Sequence, residues 1–342
     1  MKFGANYLLT LCGGFLLAVM GARLGTWWGQ HFDIITVPGG RRRHKRPLSR
    51  LGGLGIALGF FGALALSYYF LPPIPTADPK ESQRFWGLVI GGFVIFLIGL
   101  LDDYRDLPPW TQYGGYLLAA LIAVRADIIL ERFNHPLANE MIILPALLYI
   151  PLTIFWITGM IVTVNWLDGL DGLAAGVAAI LAAILTLHML RVEQYSVAPL
   201  ALALLGASLG FLVYNIPPAR VFMGSSGAFL LGYLMGALGL IAGGRVATVL
   251  LVMGIPIVDV AWTILDRWRH GVSPLRGDRR HLHYRLQDAG LSTRVIVFIY
   301  WGFCALAGAM ALLLSSRLYK LMTLVLLSGI TLIALLYLSE RQ

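Results

Sequence analysis

Four polar clusters interrupt an otherwise apolar chain, and each carries residue types suited to phosphate or metal chemistry. The first is Asp102, Asp103 and Asp106, with Tyr104 and Arg105 between them. Three carboxylates so close together repel one another. They suit a hard divalent cation, and Mg²⁺ in particular is held through one or two carboxylates plus substrate phosphates. Pro108 and Pro109 then stop the preceding helix from continuing. The second cluster runs from Asn165 through Asp168 and Gly169 to Asp171 and Gly172. Its two Asp-Gly pairs make a polar turn in which glycine lets a ligand approach the backbone. A helix N-cap accounts for one Asp, but not for the second Asp and the Asn, which can bond a base, a sugar or a metal.

The third cluster links Asn215 and Arg220 to Gly224, Ser225, Ser226 and Gly227. Glycine and small hydroxyls ahead of a helix resemble a backbone cradle for an anion, and Arg220 has the chemistry to pair with a phosphate. The same composition also suits an ordinary loop. The fourth cluster holds Arg276, Asp278, Arg279, Arg280, His281, His283 and Arg285. Histidines two apart cannot share a helix face, so phosphate contact by one imidazole and the arginines is favoured over a two-histidine metal site. A basic run, Arg41, Arg42, Arg43, His44, Lys45 and Arg46, leads to Gly52 and Gly53 and reads equally as an anion site or a topological anchor. His31, His135, His188 and His270 have no motif around them and are assigned no role.

The elements that must position these clusters are membrane helices. Of 342 residues 58% are hydrophobic and only 13% charged, about half the ~25% charge of a soluble domain. That excludes a soluble enzyme, a disordered chain and a disulfide-rich module. Cys12 and Cys304 lie in apolar runs and suggest neither a disulfide framework nor a zinc site. A spanning helix needs ~20 apolar residues. Eleven runs qualify: Asn6–Gly29, Leu51–Leu71, Phe85–Leu101, Tyr113–Val124, Met141–Val164, Gly172–Leu190, Ala198–Tyr214, Ala228–Ala242, Val246–Ile264, Val295–Leu314 and Leu321–Leu338. The expectation is an all-α polytopic membrane protein, one domain over residues 1–342. Its active-site loops would span 30–50, 102–112, 165–172, 215–227 and 266–294. The first run reads as a retained helix, since its apolar stretch continues to Trp28 and the basic cluster follows it.

Loops of one parity, with the C-terminus, carry 16 Lys and Arg against nine for the N-terminus and the other loops. The excess marks the first set as cytoplasmic, the N-terminus as outside and the C-terminus as inside. All four polar clusters fall in that first set. The net charge of +9 therefore reflects topology, lipid attraction and phosphate binding, with no nucleic-acid partner.

With these residues in order, the chain resembles the polyprenyl-phosphate N-acetylhexosamine-1-phosphate transferase family, over about Val37 to Leu286. The resemblance implies a bundle of ten or eleven helices that transfers a sugar 1-phosphate from a UDP-sugar to undecaprenyl phosphate, with Mg²⁺ or else Mn²⁺. UMP is released and cell-envelope glycan synthesis begins, with lipopolysaccharide or teichoic acid as candidate products. It also implies roles. Asp102, Asp103 and Asp106 match the catalytic carboxylates. Asn165, Asp168 and Asp171 match the nucleotide and metal motif. Asn215 precedes the Phe-Met-Gly motif, and His281 and His283 match the histidine motif, with Arg276 and Arg279 beside it for phosphate. The metal would rest on Asp103, Asp168 and Asp171. Three departures stand out. Ser225 replaces the usual aspartate metal ligand, Tyr284 a frequent histidine, and Arg42 a common lysine. His281-Leu282-His283 differs from the three consecutive histidines typical of the MurNAc-pentapeptide branch, which favours UDP-GlcNAc or a related HexNAc. The lipid tail demands a lateral groove between helices. Alternatives left open are another UDP-sugar, a weakened lipid- or nucleotide-binding homologue because of Ser225, an ion-coupled transporter suggested by Asp259, and a homodimer.

Overall fold

A computed structural model describes residues 4–36, 47–76, 78–135, 140–243, 245–273, 279–314 and 316–339. The helices are α1 (Gly4–His31), α2 (Gly53–Phe70), α3 (Glu81–Arg105), α4 (Pro109–Arg125), α5 (Ala146–Leu167), α6 (Leu173–Arg191), α7 (Ala198–Asn215), α8 (Gly224–Ile241), α9 (Val246–Val252), α10 (Gly254–Arg269), α11 (Leu282–Asp288), α12 (Thr293–Leu313) and α13 (Arg317–Ser339). Two short antiparallel pairs join them: β1 (Ile35–Thr36) with β2 (Leu48–Ser49), and β3 (Arg132–Asn134) with β4 (Met141–Ile143). The chain is an all-α polytopic membrane protein.

Helix α8 lies at the centre, buried at every residue from Ser226 to Ile241, between α3 on one side and α5 on the other. Helices α1, α2 and α7 form a tight group. The buried face of α1 repeats small residues at Gly14, Ala18, Ala22, Gly25 and Gly29, the spacing that lets membrane helices approach closely without large side chains. At Gly59 of α2 an added Cβ would stand 2.8 Å from the carbonyl of Gly14, so the two backbones are in direct contact. Hydrogen bonds from Trp156 to the Gly236 carbonyl (3.0 Å) and from Tyr233 to the Gly87 carbonyl (2.9 Å) tie α5 and α3 to α8. Helix α13 lies at the rim, with Met322, Val325, Leu326 and Ile333 exposed.

Each of the eleven apolar runs contains a helix, but they are not eleven unbroken spans. Among the described residues nine helices are long and apolar enough to cross a membrane, and a bent pair makes a tenth. Helix α4, the short fourth run, has 17 residues. The ninth run, expected as one span over Val246–Ile264, is broken into α9 and α10, which meet at 78°. Pro256 explains the break: its ring would strike the carbonyl four residues back, at Val252, where α9 ends. Proline is tolerated in the first turn of α10, where no intrahelical donor is needed.

Candidate functional site

Helices α3, α5 and α7 end, and α6, α8, α11 and α12 begin, at one end of the bundle, and the described residues of all four polar clusters sit there. Asp103 is held most completely. It is buried at the end of α3, with 2% of its surface exposed. One carboxylate oxygen accepts the Ser225 N–H at 2.7 Å. The other accepts the Ser226 N–H at 3.0 Å and its hydroxyl at 2.6 Å. Asp103 thus caps α8 from 122 residues away in sequence, accepting N–H groups of its first turn that have no partner within the helix. Gly224 makes this possible. It has φ +70°, and a Cβ there would lie 2.1 Å from the Arg50 carbonyl and 2.6 Å from the Asp103 carboxylate.

Asp102 faces the other way. Its Oδ1 accepts the Leu107 N–H and the Gln112 side-chain amide, both at 2.9 Å, and so shapes the α3–α4 turn. Asp106 ends α3 in the left-handed region, φ 47°. It is largely exposed and pairs with Arg50 at 2.7 Å. The three carboxylates therefore do three different things.

The second and third clusters are stapled together. The buried Asn215 accepts the Gly172 N–H at 2.9 Å and donates to the Val221 carbonyl at 2.9 Å. Asp171 accepts the Ala219 N–H at 3.0 Å. Asp168 is buried at the C-cap of α5. Asn165 and the Ser225 hydroxyl are partly exposed and have no hydrogen-bond partner among the described residues. Backbone bonds from Gly52 and Gly53 to the carbonyls of Phe222 (3.0 Å) and Met223 (2.8 Å) bring the start of α2 to the same place.

The fourth cluster joins through Asp259, the carboxylate expected to stand apart at mid-span. It is buried in α10, 3% exposed. Its two oxygens meet His281 Nδ1 at 3.1 Å and the Leu282 N–H at 2.7 Å. The exception thus belongs to the same site as a positioning residue for His281. Sequence reasoning missed that role, although the cost of a carboxylate in an apolar helix was a signal for it. The expectation that the two histidines point apart is also corrected. His281 precedes α11 in extended conformation (φ −64°, ψ 147°), so the helical spacing rule does not apply across the pair. The imidazoles stack, with centroids 5.6 Å apart and planes 4° from parallel.

Trp166 extends this stack. It lies edge-on to His281 at 5.3 Å, and Arg267 sits 4.8 Å over it. At the other end Arg279 lies 4.6 Å over Tyr284 and pairs with Asp288 at 2.8 Å. The stack abuts the Asp168–Asp171 turn at Gly169, where a Cβ would be 2.2 Å from His283 Nε2 and 2.8 Å from the Tyr284 hydroxyl. Arg276, Asp278 and the basic run at residues 41–46 lie outside the described residues. Among the described residues no three His, Cys, Asp or Glu side chains stand close enough to hold a metal by themselves.

An apolar cavity of about 370 Å³ opens beside this end, lined by Trp28, Leu54, Leu97, Leu101 and Tyr104 from α1, α2 and α3 and by Phe32 just after α1.

Comparison with known proteins gives a consistent picture. The family described as Glycosyl transferase family 4 matches residues 85–243. The chain is 32% identical over 307 residues to a protein of Mycolicibacterium smegmatis named decaprenyl-phosphate N-acetylglucosaminephosphotransferase, covering 81% of this chain and 75% of that one. It is 27% identical over 318 residues to the undecaprenyl-phosphate alpha-N-acetylglucosaminyl 1-phosphate transferase of Haemophilus influenzae, covering 89% and 85%. It is 34% identical over 265 residues to a phospho-N-acetylmuramoyl-pentapeptide-transferase of a Synechococcus species, covering 70% and 71%.

Proposed function

We propose, from the premise that the chain belongs to glycosyl transferase family 4 and to its polyprenyl-phosphate N-acetylhexosamine-1-phosphate transferases, that it transfers GlcNAc-1-phosphate from UDP-GlcNAc to undecaprenyl phosphate. An oxygen of the lipid phosphate bonds to the β-phosphorus, the bond from that phosphorus to the bridging oxygen breaks, and UMP leaves with the electron pair. The observation that carries this reading is the hydrogen-bonded convergence of Asp103, Asp171, Asn215 and, through Asp259, His281 at one end of the bundle. A phosphate monoester has its second pKa near 6, so the acceptor is already largely dianionic at neutral pH. Positioning and charge compensation then matter more than a general base.

Each group has a distinct part in this reading. Asp103 fixes the N-terminus of α8, and Asp102 holds the α3–α4 turn. Asn165, whose amide has no partner among the described residues, bonds the nucleotide. The His281–His283 stack, set by Asp259, and Arg279 face the phosphates. The donor set fits a Mg²⁺ completed by substrate phosphates, because Mg²⁺ takes one or two protein carboxylates and keeps its other positions for phosphate and water. Asp168 and Asp171 would hold it, beside Asp103, and it would neutralise charge on the diphosphate. The apolar cavity beside α3 supplies a lateral seat for the polyprenyl chain. The Lys and Arg distribution supports a cytoplasmic site, with the N-terminus outside and the C-terminus inside.

Purified protein given UDP-GlcNAc, undecaprenyl phosphate and Mg²⁺ should release one UMP per lipid diphosphate sugar formed, and none after chelation. Turnover of UDP-MurNAc-pentapeptide alone would assign the other sugar. Exchange of label across vesicles without UMP would mean transport. Activity rising from zero in Ser225→Asp would mark the native chain as weakened.

A further inference from the structure

The end of the bundle away from the site carries cations of two kinds. Beside α3 they are paired: Arg84 bonds Asp78 at 2.6 Å and Asp127 at 2.7 Å, and Lys80 bonds Asp127 at 2.8 Å. Across the same end, α6 closes with His188 and Arg191, the α8–α9 turn supplies Arg245, and the first turn of α13 supplies Lys320. These four are within electrostatic reach of one another: Arg245, Lys320 and Arg191 all act on His188, and Arg245 acts on Lys320. Among the described residues none of them forms an ion pair with a carboxylate. The acid closest in sequence, Glu193, is exposed and pairs with none of them. Arg191 gives one N–H to the Leu312 carbonyl at 2.6 Å. The Nε of Arg245 and the Nε2 of His188 are shielded from solvent and have no hydrogen-bond partner among the described residues. Burial lowers the pKa of the Arg245 guanidinium below its ordinary value.

Arg191, Arg245 and Lys320 have no acid partner among the described residues, and the Nε of Arg245 and Nε2 of His188 add shielded polar atoms without acceptors, so positive charge is concentrated here that an anion would relieve. A guanidinium matches a phosphate in shape as well as charge. The surroundings are lipid-facing: next to the cluster, Leu313, Met322, Val325 and Leu326 on α12 and α13 are exposed. We propose that His188, Arg191, Arg245 and Lys320 form a binding site for the phosphate of an anionic phospholipid headgroup, its acyl chains lying along α13. Basic pockets between membrane helices recognise lipid headgroups in this way. The site lies a full helix length from the carboxylate cluster, about 27 Å along the 18 residues of α8, and is independent of the transfer reaction.

Native mass spectrometry of the purified full chain, released from mixed micelles containing phosphatidylglycerol or phosphatidylcholine, tests it. The wild type should retain one phosphatidylglycerol about tenfold or more over phosphatidylcholine. The double variant Arg245→Gln and Lys320→Gln should lose that preference. Arg132→Gln, which removes an exposed cation at the same end, should keep it. UMP release by the double variant, unchanged, reports that it is folded. Should it fail to fold, Lys320→Gln alone should still reduce the preference. Equal retention of the two lipids, or full retention by the variants, would overturn the proposal. A phosphate adduct that displaces the lipid when inorganic phosphate is added would assign the site to free phosphate and overturn the lipid assignment.

Discussion

The two ends of this bundle handle carboxylates differently. At one end, Asp102, Asp103 and Asp171 accept hydrogen bonds from neutral N–H and O–H groups, while ion pairs of that end, such as Arg50 with Asp106 and Arg279 with Asp288, lie at partly exposed positions around them. At the other, Asp78 and Asp127 are bonded to Arg84 and Lys80. Neutral donors orient a carboxylate without cancelling its charge, whereas a guanidinium or ammonium cancels it. The first end therefore holds Asp102, Asp103 and Asp171 in fixed positions with no ion pair among the described residues. The second uses its charges to fasten α3 to the loop after α4.

That contrast can be broken from either side. The largest effect is expected at Gly224. Gly224→Ala adds a Cβ that overlaps the Arg50 carbonyl and sits in the left-handed region. The backbone conformation alone costs about 1–2 kcal/mol, so the thermal midpoint in detergent should fall and transfer should be lost. An unchanged midpoint would mean that Asp103 and α8 are not locked together. Next comes Asp259→Ala, which frees His281 and removes the acceptor of the Leu282 N–H. Bonds to a charged group are worth about 1.5–3 kcal/mol, so UMP release should fall about ten- to a hundredfold, with a smaller change in stability. A stability loss with full turnover would make Asp259 purely structural.

Smaller effects are expected at the second end. Arg84→Gln removes partly exposed ion pairs and should change stability by no more than about 1 kcal/mol, with turnover intact. Burial works against the charge of Asp127, but hydrogen bonds from Lys80 and Arg84 outweigh it and hold its pKa below the ordinary 3.8. Its contribution is therefore present above pH ~4 and is lost as pH falls through the lower folded value. A small acid-induced drop in midpoint should be absent from Asp127→Asn.

Much of this was legible beforehand. Asp102, Asp103, Asp168, Asp171 and the histidines stood out because polar residues are costly beside apolar runs, and the helices because a bilayer demands length. What local pattern cannot reveal is pairing at a distance. Ser226 caps nothing in its own neighbourhood, and its partner Asp103 lies 123 residues earlier. Asp259 looked like an isolated mid-span charge because the apolar run around it reads as continuous. Only the 78° bend at Met253 brings α10 to the histidines. The Gly254–Pro256 segment was the available sign of that bend. The parallel imidazoles were hidden because a helical rule was applied to His281, which lies outside the helix.

The most direct test concerns Asp103. UMP release from UDP-GlcNAc with undecaprenyl phosphate and Mg²⁺ should be compared between the wild type and Asp103→Ala, with the thermal midpoint of each recorded. The account predicts turnover below about one hundredth of wild type in a variant that still folds. Full Mg²⁺-dependent release by Asp103→Ala would contradict it.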